Sequence, residues 1–599
     1  MRVAEYVSNA LADLGVRHVF MVTGGGAMFL NFAIGSNPRI RTIFNLHEQA
    51  CAMAAEGYAR VTGKPGVISV TSGPGGVNAL NGVLGAWTDS IPMVVLSGQV
   101  KRETYVRTYD LPHLRQLGDQ EADIISMVRG ITKYAVTVTD PQEIRYHLEK
   151  AWHLAQSGRP GPCWLDIPID VQSSSVNEGL LQGFVPTAAT PLNDDMRESV
   201  SIVLQRLAHA ERPVILAGTG VRLAGAVDVF NQVIHKLGIP VTTGWTHDLI
   251  DSDDRVFCGR PGTIGTRPGN FAVQNSDVLL VLGSRLNVRQ TGYTFKSFAR
   301  AAFKIWVDID LAELSRPTVV PDLPIVADVG AFLKELFRQL EVTGWDPQRY
   351  SGWLSWCRER LNRYPAVLPR HREFKGKINP YHFVEILFNE LNRDDVVVCG
   401  NATATIVPFQ VACIRLGQRL FSNSGTASMG YDLPAAIGAA VAREGKRVIC
   451  LAGDGSVQLN VQELQTIVHH QLPIKIFVLN NGGYLSIRLS QKGFFPHTVG
   501  ESPASGVSFP DMLAIAHAYG IPTTRIDIQG FAPLIRQALK APGPYLCDVA
   551  LDPDQGFEPR QSSRQLPDGR IVSAPLEDMF PFLDRDELRQ NLLIPEWEG

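Results

Sequence analysis

Val448-Ile449-Cys450-Leu451-Ala452-Gly453-Asp454-Gly455-Ser456 is the stretch that decides the fold class of this chain. Its apolar run has the length of a buried strand, and Gly-Asp-Gly then turns the chain into a segment of helical period. A second apolar run, Ile474 to Leu479, follows and ends in Asn480-Asn481. In an open α/β sheet, adjacent parallel strands deliver the residues after them to one carboxyl edge, where ligands bind. Asp454 and Asn481, 27 positions apart (454 to 481), are therefore predicted to be neighbours. A carboxylate, an amide oxygen and a main-chain carbonyl suit a hard ion such as Mg²⁺. Gly453 and Gly455 let the backbone approach a diphosphate, whose charge the following helix start favours.

Outward from this segment the same alternation recurs. Val19 to Val22, Gly66 to Val70, Met93 to Leu96, Val214 to Leu216 and Val278 to Leu282 are strand-like runs separated by helix-period segments. Parallel sheets covered by helices on both faces account for that pattern. Two composition shifts divide the 599 residues: a Ser/Thr/Pro-rich stretch from Gln172 to about Asp195, and a polar stretch from about Thr343 to Pro380 around Trp353 and Trp356. The fold class read from this is α/β, with three doubly wound parallel-sheet domains at 1–172, 196–342 and 370–551. A C-terminal arm, 552–599, is rich in Pro, Arg and Asp. The first and third units share a loose plan of strand, Gly-rich turn and helix, seen at Thr23-Gly24-Gly25-Gly26 and Gly453-Asp454-Gly455.

Composition excludes several classes. With 56 Lys+Arg against 59 Asp+Glu the net charge is −3, so no global field favours a polyanion, and nucleic acid is not an expected partner. Apolar residues at 3, 6, 7, 10, 11 and 14 predict an amphipathic helix ending at Gly15 rather than a signal peptide. No run approaches the ~20 apolar residues that span a bilayer. The eight cysteines form no CxxC pair, which fits reduced thiols and a cytoplasmic location.

Taken singly, Gly-Asp-Gly reads as a turn and Asn-Asn as a strand end. In this order, each after a predicted strand, they resemble the thiamine diphosphate motif of acetohydroxyacid-synthase-like enzymes. The resemblance implies Asp454, Asn481 and the Gly483 carbonyl as Mg²⁺ ligands. It implies cofactor contacts from Gly400, Asn401, Gly455, Ser456, Tyr484, Leu485, Ser486 and Ile487. The segment Asn45-Leu46-His47-Glu48-Gln49-Ala50, followed by Ala55 to Arg60, resembles the family's His-Glu-Gln segment. Glu48 is then the catalytic carboxyl group that holds the cofactor's aminopyrimidine in its imino form. Thr71-Ser72-Gly73-Pro74-Gly75-Gly76-Val77-Asn78 resembles the pyrimidine-contact loop, giving Ser72, Gly73 and Asn78, with Gly25 beside it. Gly425 to Tyr431 resembles the loop that bends the cofactor, with Ala427 and Met429 as contacts. In this family the Glu and the metal motif belong to different subunits, so a homo-oligomer with sites between two chains is implied.

The middle unit carries Gly218-Thr219-Gly220, Gly262-Thr263, Gly283-Ser284-Arg285, Arg289, Asp308 and Asp328 in order. The set resembles the FAD-binding domain of acetohydroxyacid synthases, to which Arg159 also contributes. The implied flavin does no net redox work.

Substrate positions depart from the family pattern. Gln120 matches the glutamine near the reacting centre, but Asp119 precedes it where the family has Phe. Ile169 replaces a lysine, Val288-Arg289 an Asp-Arg pair, and Ser490 a tryptophan. The Trp-to-Ser difference leaves room for a large acceptor. A lengthened loop with Arg102, Arg107, His113 and Arg115 suits an anion, although a solvated charged loop reads equally well. These features resemble the carboligases of branched-sugar (yersiniose) biosynthesis. That resemblance implies decarboxylation of pyruvate, a 2-keto acid, and acetyl transfer to a ketone acceptor such as a CDP-4-keto-3,6-dideoxyhexose. Rival readings are an acetolactate synthase, a thiamine-dependent hydrolase of cyclic diketones, and a non-catalytic member.

Overall fold

The computed structural model describes residues 1–109, 111, 113–186, 194–244 and 248–598; part of the predicted 172–195 linker thus lies outside the described residues. Three parallel sheets follow one another along the chain. The first contains β1 (His18–Met21), β2 (Arg41–Phe44), β3 (Gly66–Val70), β4 (Met93–Gln99), β5 (Tyr134–Thr137) and β6 (Pro162–Pro168), in the order β2-β1-β3-β4-β6-β5. The second has β7 (Pro213–Ala217), β8 (Val241–Thr243), β9 (Val278–Leu282), β10 (Phe303–Asp308) and β11 (Leu323–Val326), in the order β11-β10-β9-β7-β8. The third has β12 (Val396–Cys399), β13 (Arg419–Phe421), β14 (Val448–Gly453), β15 (Ile474–Asn480), β16 (Thr523–Ile526) and β17 (Tyr545–Ala550), in the order β13-β12-β14-β15-β17-β16. The expected α/β class with three parallel-sheet units is met. The first and third sheets share one topology, a repeat that residue identities along the chain do not display.

Central strands such as β3, β4, β6 and β9 are buried at every position, which is why they read as unbroken apolar runs rather than alternating ones. Helices cover both faces. The helix Glu48–Thr62 of the first unit packs against the helix Asp432–Ala442 of the third. Small residues permit this contact: a Cβ on Gly57 would strike the Ala435 carbonyl, and one on Gly438 the Ala54 carbonyl. Position 54 faces 438 and position 57 faces 435, so the two helices run antiparallel. Each helix precedes a strand of its own parallel sheet and runs against it. The two sheets therefore point their carboxyl edges in opposite directions.

The polar stretch after Thr343 is a helix, Ser351–Arg363, rather than a bare connection. Trp353 is buried, stacks on Trp356 with centroids 4.9 Å apart, and donates its Nε1–H to the Pro213 carbonyl at 3.0 Å. The C-terminal arm lies on the middle unit. Gln561 donates its backbone N–H to the Thr263 carbonyl at 2.6 Å, and Glu577 accepts from Gln274 at 2.6 Å and Arg300 at 2.7 Å. All eight cysteines are free, and among the described residues no helix is long and apolar enough to cross a membrane.

Candidate active site

At the carboxyl edge of the third sheet, β14 and β15 are paired in register, with Gly453 opposite Leu479. Asp454 and Asn481 follow these ends and are both buried. The Asp454 carboxylate accepts N–H bonds from Gly483 at 2.9 Å and Gly455 at 3.0 Å. The Asn481 amide lies 2.9 Å from the Gly483 carbonyl oxygen, and its other end is 3.5 Å from the Thr403 hydroxyl. Burial pushes the Asp454 carboxyl up to about 6, an energetic cost that a bound cation would offset.

The donor chemistry fits Mg²⁺. Two adjacent oxygens on an octahedral ion with bonds of ~2.1 Å lie about 3 Å apart, the spacing seen between the Asn481 amide and Gly483 O. A half-turn of the amide presents Oδ1 there and leaves its NH₂ for Thr403. The Gly483 peptide is held from outside the cluster. Gly483 has φ +142°, and the next N–H, on Tyr484, bonds the Glu501 carbonyl at 2.8 Å. Arg488 donates to the Glu501 carboxylate at 2.7 Å and to the Gly482 carbonyl at 3.2 Å. Neither Arg488 nor Glu501 carries a signal in the sequence beyond a charged residue near a motif.

The remaining residues of this half-site gather unevenly. Ser456 donates to the buried Asp432 carboxylate at 2.5 Å and accepts the Gly430 N–H at 2.9 Å. Burial raises Asp432 to about 6. Gly400 is fixed by its N–H on Leu451 O, and Asn401 donates to the Ala427 carbonyl at 3.2 Å. Ala427, at φ +51°, bends the backbone immediately before Ser428-Met429. Met429, Tyr484 and Ser486 are half-buried and Ile487 is 43% exposed, whereas Leu485 is packed into the core of the third unit.

The second half-site stands at the carboxyl edge of the first sheet. Glu48 is the first residue of its helix, capped by His47, whose Nδ1 accepts the Gln49 N–H at 3.0 Å. Its carboxylate accepts from Asn78 at 3.0 Å. Gly73 has φ +59°, and a Cβ there would strike the Gln120 carbonyl, so the pyrimidine-type loop and the Gln120 loop touch. Gln120 is itself left-handed at φ +59°. The Gly26 N–H bonds the Thr71 hydroxyl at 3.1 Å, a Cβ on Gly26 would strike the buried Ser72 side chain, and Gly25 beside it faces open space. Glu48, Ser72, Gly73, Asn78, Gly25 and Gln120 thus come together. Among the described residues no hydrogen bond joins Glu48 to the Asp454 cluster, consistent with the opposed sheet edges.

These two edges, one with a carboxylate–amide pair and one with an oxygen-donor cation cradle, lie in segments that match known protein families. Residues 1–127, 200–336 and 400–549 match the N-terminal TPP binding, central and C-terminal TPP binding domains of thiamine pyrophosphate enzymes. The chain is 33% identical over 569 residues to the probable acetolactate synthase 2, chloroplastic, of Oryza sativa subsp. japonica, covering 92% of this chain and 82% of that protein. It is 32% identical over 562 residues to the acetolactate synthase 1, chloroplastic, of Nicotiana tabacum, covering 91% and 81%. This chain belongs to the thiamine pyrophosphate enzymes of the acetolactate synthase type. Thiamine diphosphate is the cofactor of such an enzyme.

A third feature of this thiamine enzyme is a cavity of about 550 Å³ at the carboxyl edge of the middle sheet, where all three units meet. Gly220, Gly283, Arg285, Arg289, Asp308 and Asp328 line it, and Arg159 enters from the first unit. Arg159 is held by Ser90 at 2.8 Å, Asp310 at 2.8 Å and Glu313 at 2.7 Å. Gly218 lies behind the wall, its N–H on the Leu282 carbonyl at 2.8 Å. Gly262 and Thr263 also lie behind it, with the Thr263 N–H on the Arg289 carbonyl at 2.8 Å. The anion reading of the 102–115 loop is narrowed. Arg102 pairs with Asp170 at 2.6 Å and Arg107 with Asp123, which leaves His113 and Arg115 exposed.

Proposed function

We propose that this enzyme decarboxylates pyruvate and transfers the acetyl unit to a ketone acceptor, in sites completed by two chains. Thiamine diphosphate, when bound, supplies the nucleophilic carbon and the electron sink for loss of carbon dioxide. Asp454, Asn481 and the Gly483 carbonyl would hold Mg²⁺, which would supply positive charge for the diphosphate. Glu48, oriented by Asn78, hydrogen-bonds the aminopyrimidine as its activating acid. Gln120, packed against the Gly73 loop, would lie near the reacting carbons, and Met429 with Ile487 would keep that region apolar. The antiparallel packing of Glu48–Thr62 on Asp432–Ala442 carries the two-chain reading. It points the two sheet edges of one chain in opposite directions, which supports completion of each half-site by a partner chain.

The 550 Å³ cavity suits a dinucleotide, with phosphate-binding arginines at strand ends and acidic partners for ribose; FAD is the proposed occupant. The eight free thiols support a reducing, cytoplasmic setting.

For the acceptor, Ser490 carries the argument. It lies exposed on the helix Leu485–Phe494, its hydroxyl turned back onto the Ser486 carbonyl at 2.9 Å, beside the exposed Ile487. An open flank there accommodates a sugar-sized ketone, and the reading is a CDP-4-keto-3,6-dideoxyhexose. The identities of 32–33% to acetolactate synthases favour a second reading, in which pyruvate is itself the acceptor. Mass analysis of products from pyruvate with and without the CDP-keto sugar decides between them. A new branched sugar is expected; acetolactate alone under both conditions overturns the sugar reading.

A further inference from the structure

Asp89 caps the carboxyl end of the helix Pro74–Thr88, whose other end carries Asn78. Its carboxylate is shared among three groups. One oxygen accepts from Arg60 at 2.7 Å; the other accepts the Gly425 N–H at 3.0 Å and lies 3.6 Å from Arg285. A Cβ on Gly425 would come within 2.5 Å of that oxygen, so the approach requires glycine. Gly425 opens the segment that contains Met429. The same segment closes at Tyr431, whose hydroxyl donates to Glu56, and Glu56 accepts from Arg60 at 2.6 Å. One buried guanidinium thus ties both ends of the Met429 segment to the first unit, and Arg60, Asp89 and Arg285 all line the junction cavity.

We propose that Asp89 is a positioning residue through which occupancy of the junction cavity sets the Met429 segment, and hence the affinity for thiamine diphosphate. The proposal rests on the reading of that cavity as a dinucleotide site. Arg285 donates to the Thr88 carbonyl at 2.9 Å, and from 3.6 Å its charge partly neutralises the oxygen that accepts the Gly425 N–H. A phosphate-bearing ligand draws Arg285 toward itself, leaves that oxygen with more of its negative charge and so strengthens its bond from Gly425, and fixes the segment that supports the thiamine ring. The sign of the coupling follows: each ligand strengthens binding of the other, by the same factor.

Flavin-free protein is titrated with thiamine diphosphate and Mg²⁺ by calorimetry, with and without saturating FAD, and the reverse titration is run with FAD. In the unaltered protein FAD is expected to lower the thiamine diphosphate Kd by about 5-fold or more. In Asp89→Asn, which keeps an acceptor for Gly425 but removes the charge shared by Arg60 and Arg285, the factor is expected to fall below about twofold. Tyr431→Phe removes only the hydroxyl tie and is expected to reduce the factor as well, which keeps the test open if Asp89→Asn does not fold. FAD that binds but leaves the thiamine diphosphate Kd unchanged overturns the coupling. An undiminished factor in both variants overturns the role of Asp89. Failure of FAD to bind the unaltered protein removes the dinucleotide reading, and the coupling with it.

Discussion

Glu48 presents its carboxylate to Asn78 at the start of a helix, where the helix dipole and His47 fix the backbone and, among the described residues, no second hydrogen bond to the side chain is seen. Glu48→Gln keeps the shape and the Asn78 contact while removing the acid. The expected outcome is a loss of about 10²–10⁴ in kcat for carbon dioxide release, with unchanged far-ultraviolet circular dichroism and retained cofactor binding. Unchanged turnover overturns the assignment. Asp166 makes a different residue-scale case. It is fully buried on β6, accepts from Ser97 at 2.6 Å and Gln99 at 3.1 Å, and burial raises its carboxyl to about 7. The folded protein keeps a proton there that the unfolded chain releases above the ordinary value of 3.8. The stabilisation is therefore complete below about pH 4 and drains as pH rises through about 7. Relative to Asp166→Asn, the unaltered protein should lose about 1.4 kcal/mol of stability per pH unit across that window, read from urea unfolding at several pH values.

At the scale of elements, the meeting of Glu48–Thr62 with Asp432–Ala442 sets the geometry. Gly438→Ala drives a methyl group into the Ala54 carbonyl, and neither backbone can retreat without displacing its own sheet. A destabilisation of about 2 kcal/mol or more is expected, visible as a lowered unfolding temperature of the cofactor-free protein. An unchanged unfolding temperature refutes the close crossing. The small residues of both helices are visible in the sequence, but a small-residue face does not say which partner it meets or in which direction. The strands are legible because burial on both faces leaves runs such as Val278–Leu282 without polar interruption. The Asp454–Asn481 neighbourhood is legible for the same reason, since parallel pairing carries strand-end residues to one edge. Arg102 with Asp170 is not, because its partner stands 68 positions along with no periodicity linking the two. Nor is the helix Ser351–Arg363, whose polar composition conceals the single buried face made by Trp353 and Cys357.

For the whole molecule, opposed sheet edges keep Glu48 and Asp454 of one chain in separate clusters. If each working site takes Glu48 from one chain and Asp454 from another, two differently disabled chains can repair each other. Glu48→Gln and Asp454→Ala are each expected to be inactive alone. Co-expressed under two affinity tags and purified through both, the mixed dimer pairs the intact Glu48 of one chain with the intact Asp454 of the other in one of its two sites. The second site inherits both lesions. About half the activity per purified mixed dimer is expected, and about a quarter in an unfractionated random mixture, because a closed two-fold assembly contains both kinds of site. If both residues of a site came from the same chain, mixing would restore nothing, and the carbon dioxide release assay distinguishes these outcomes directly.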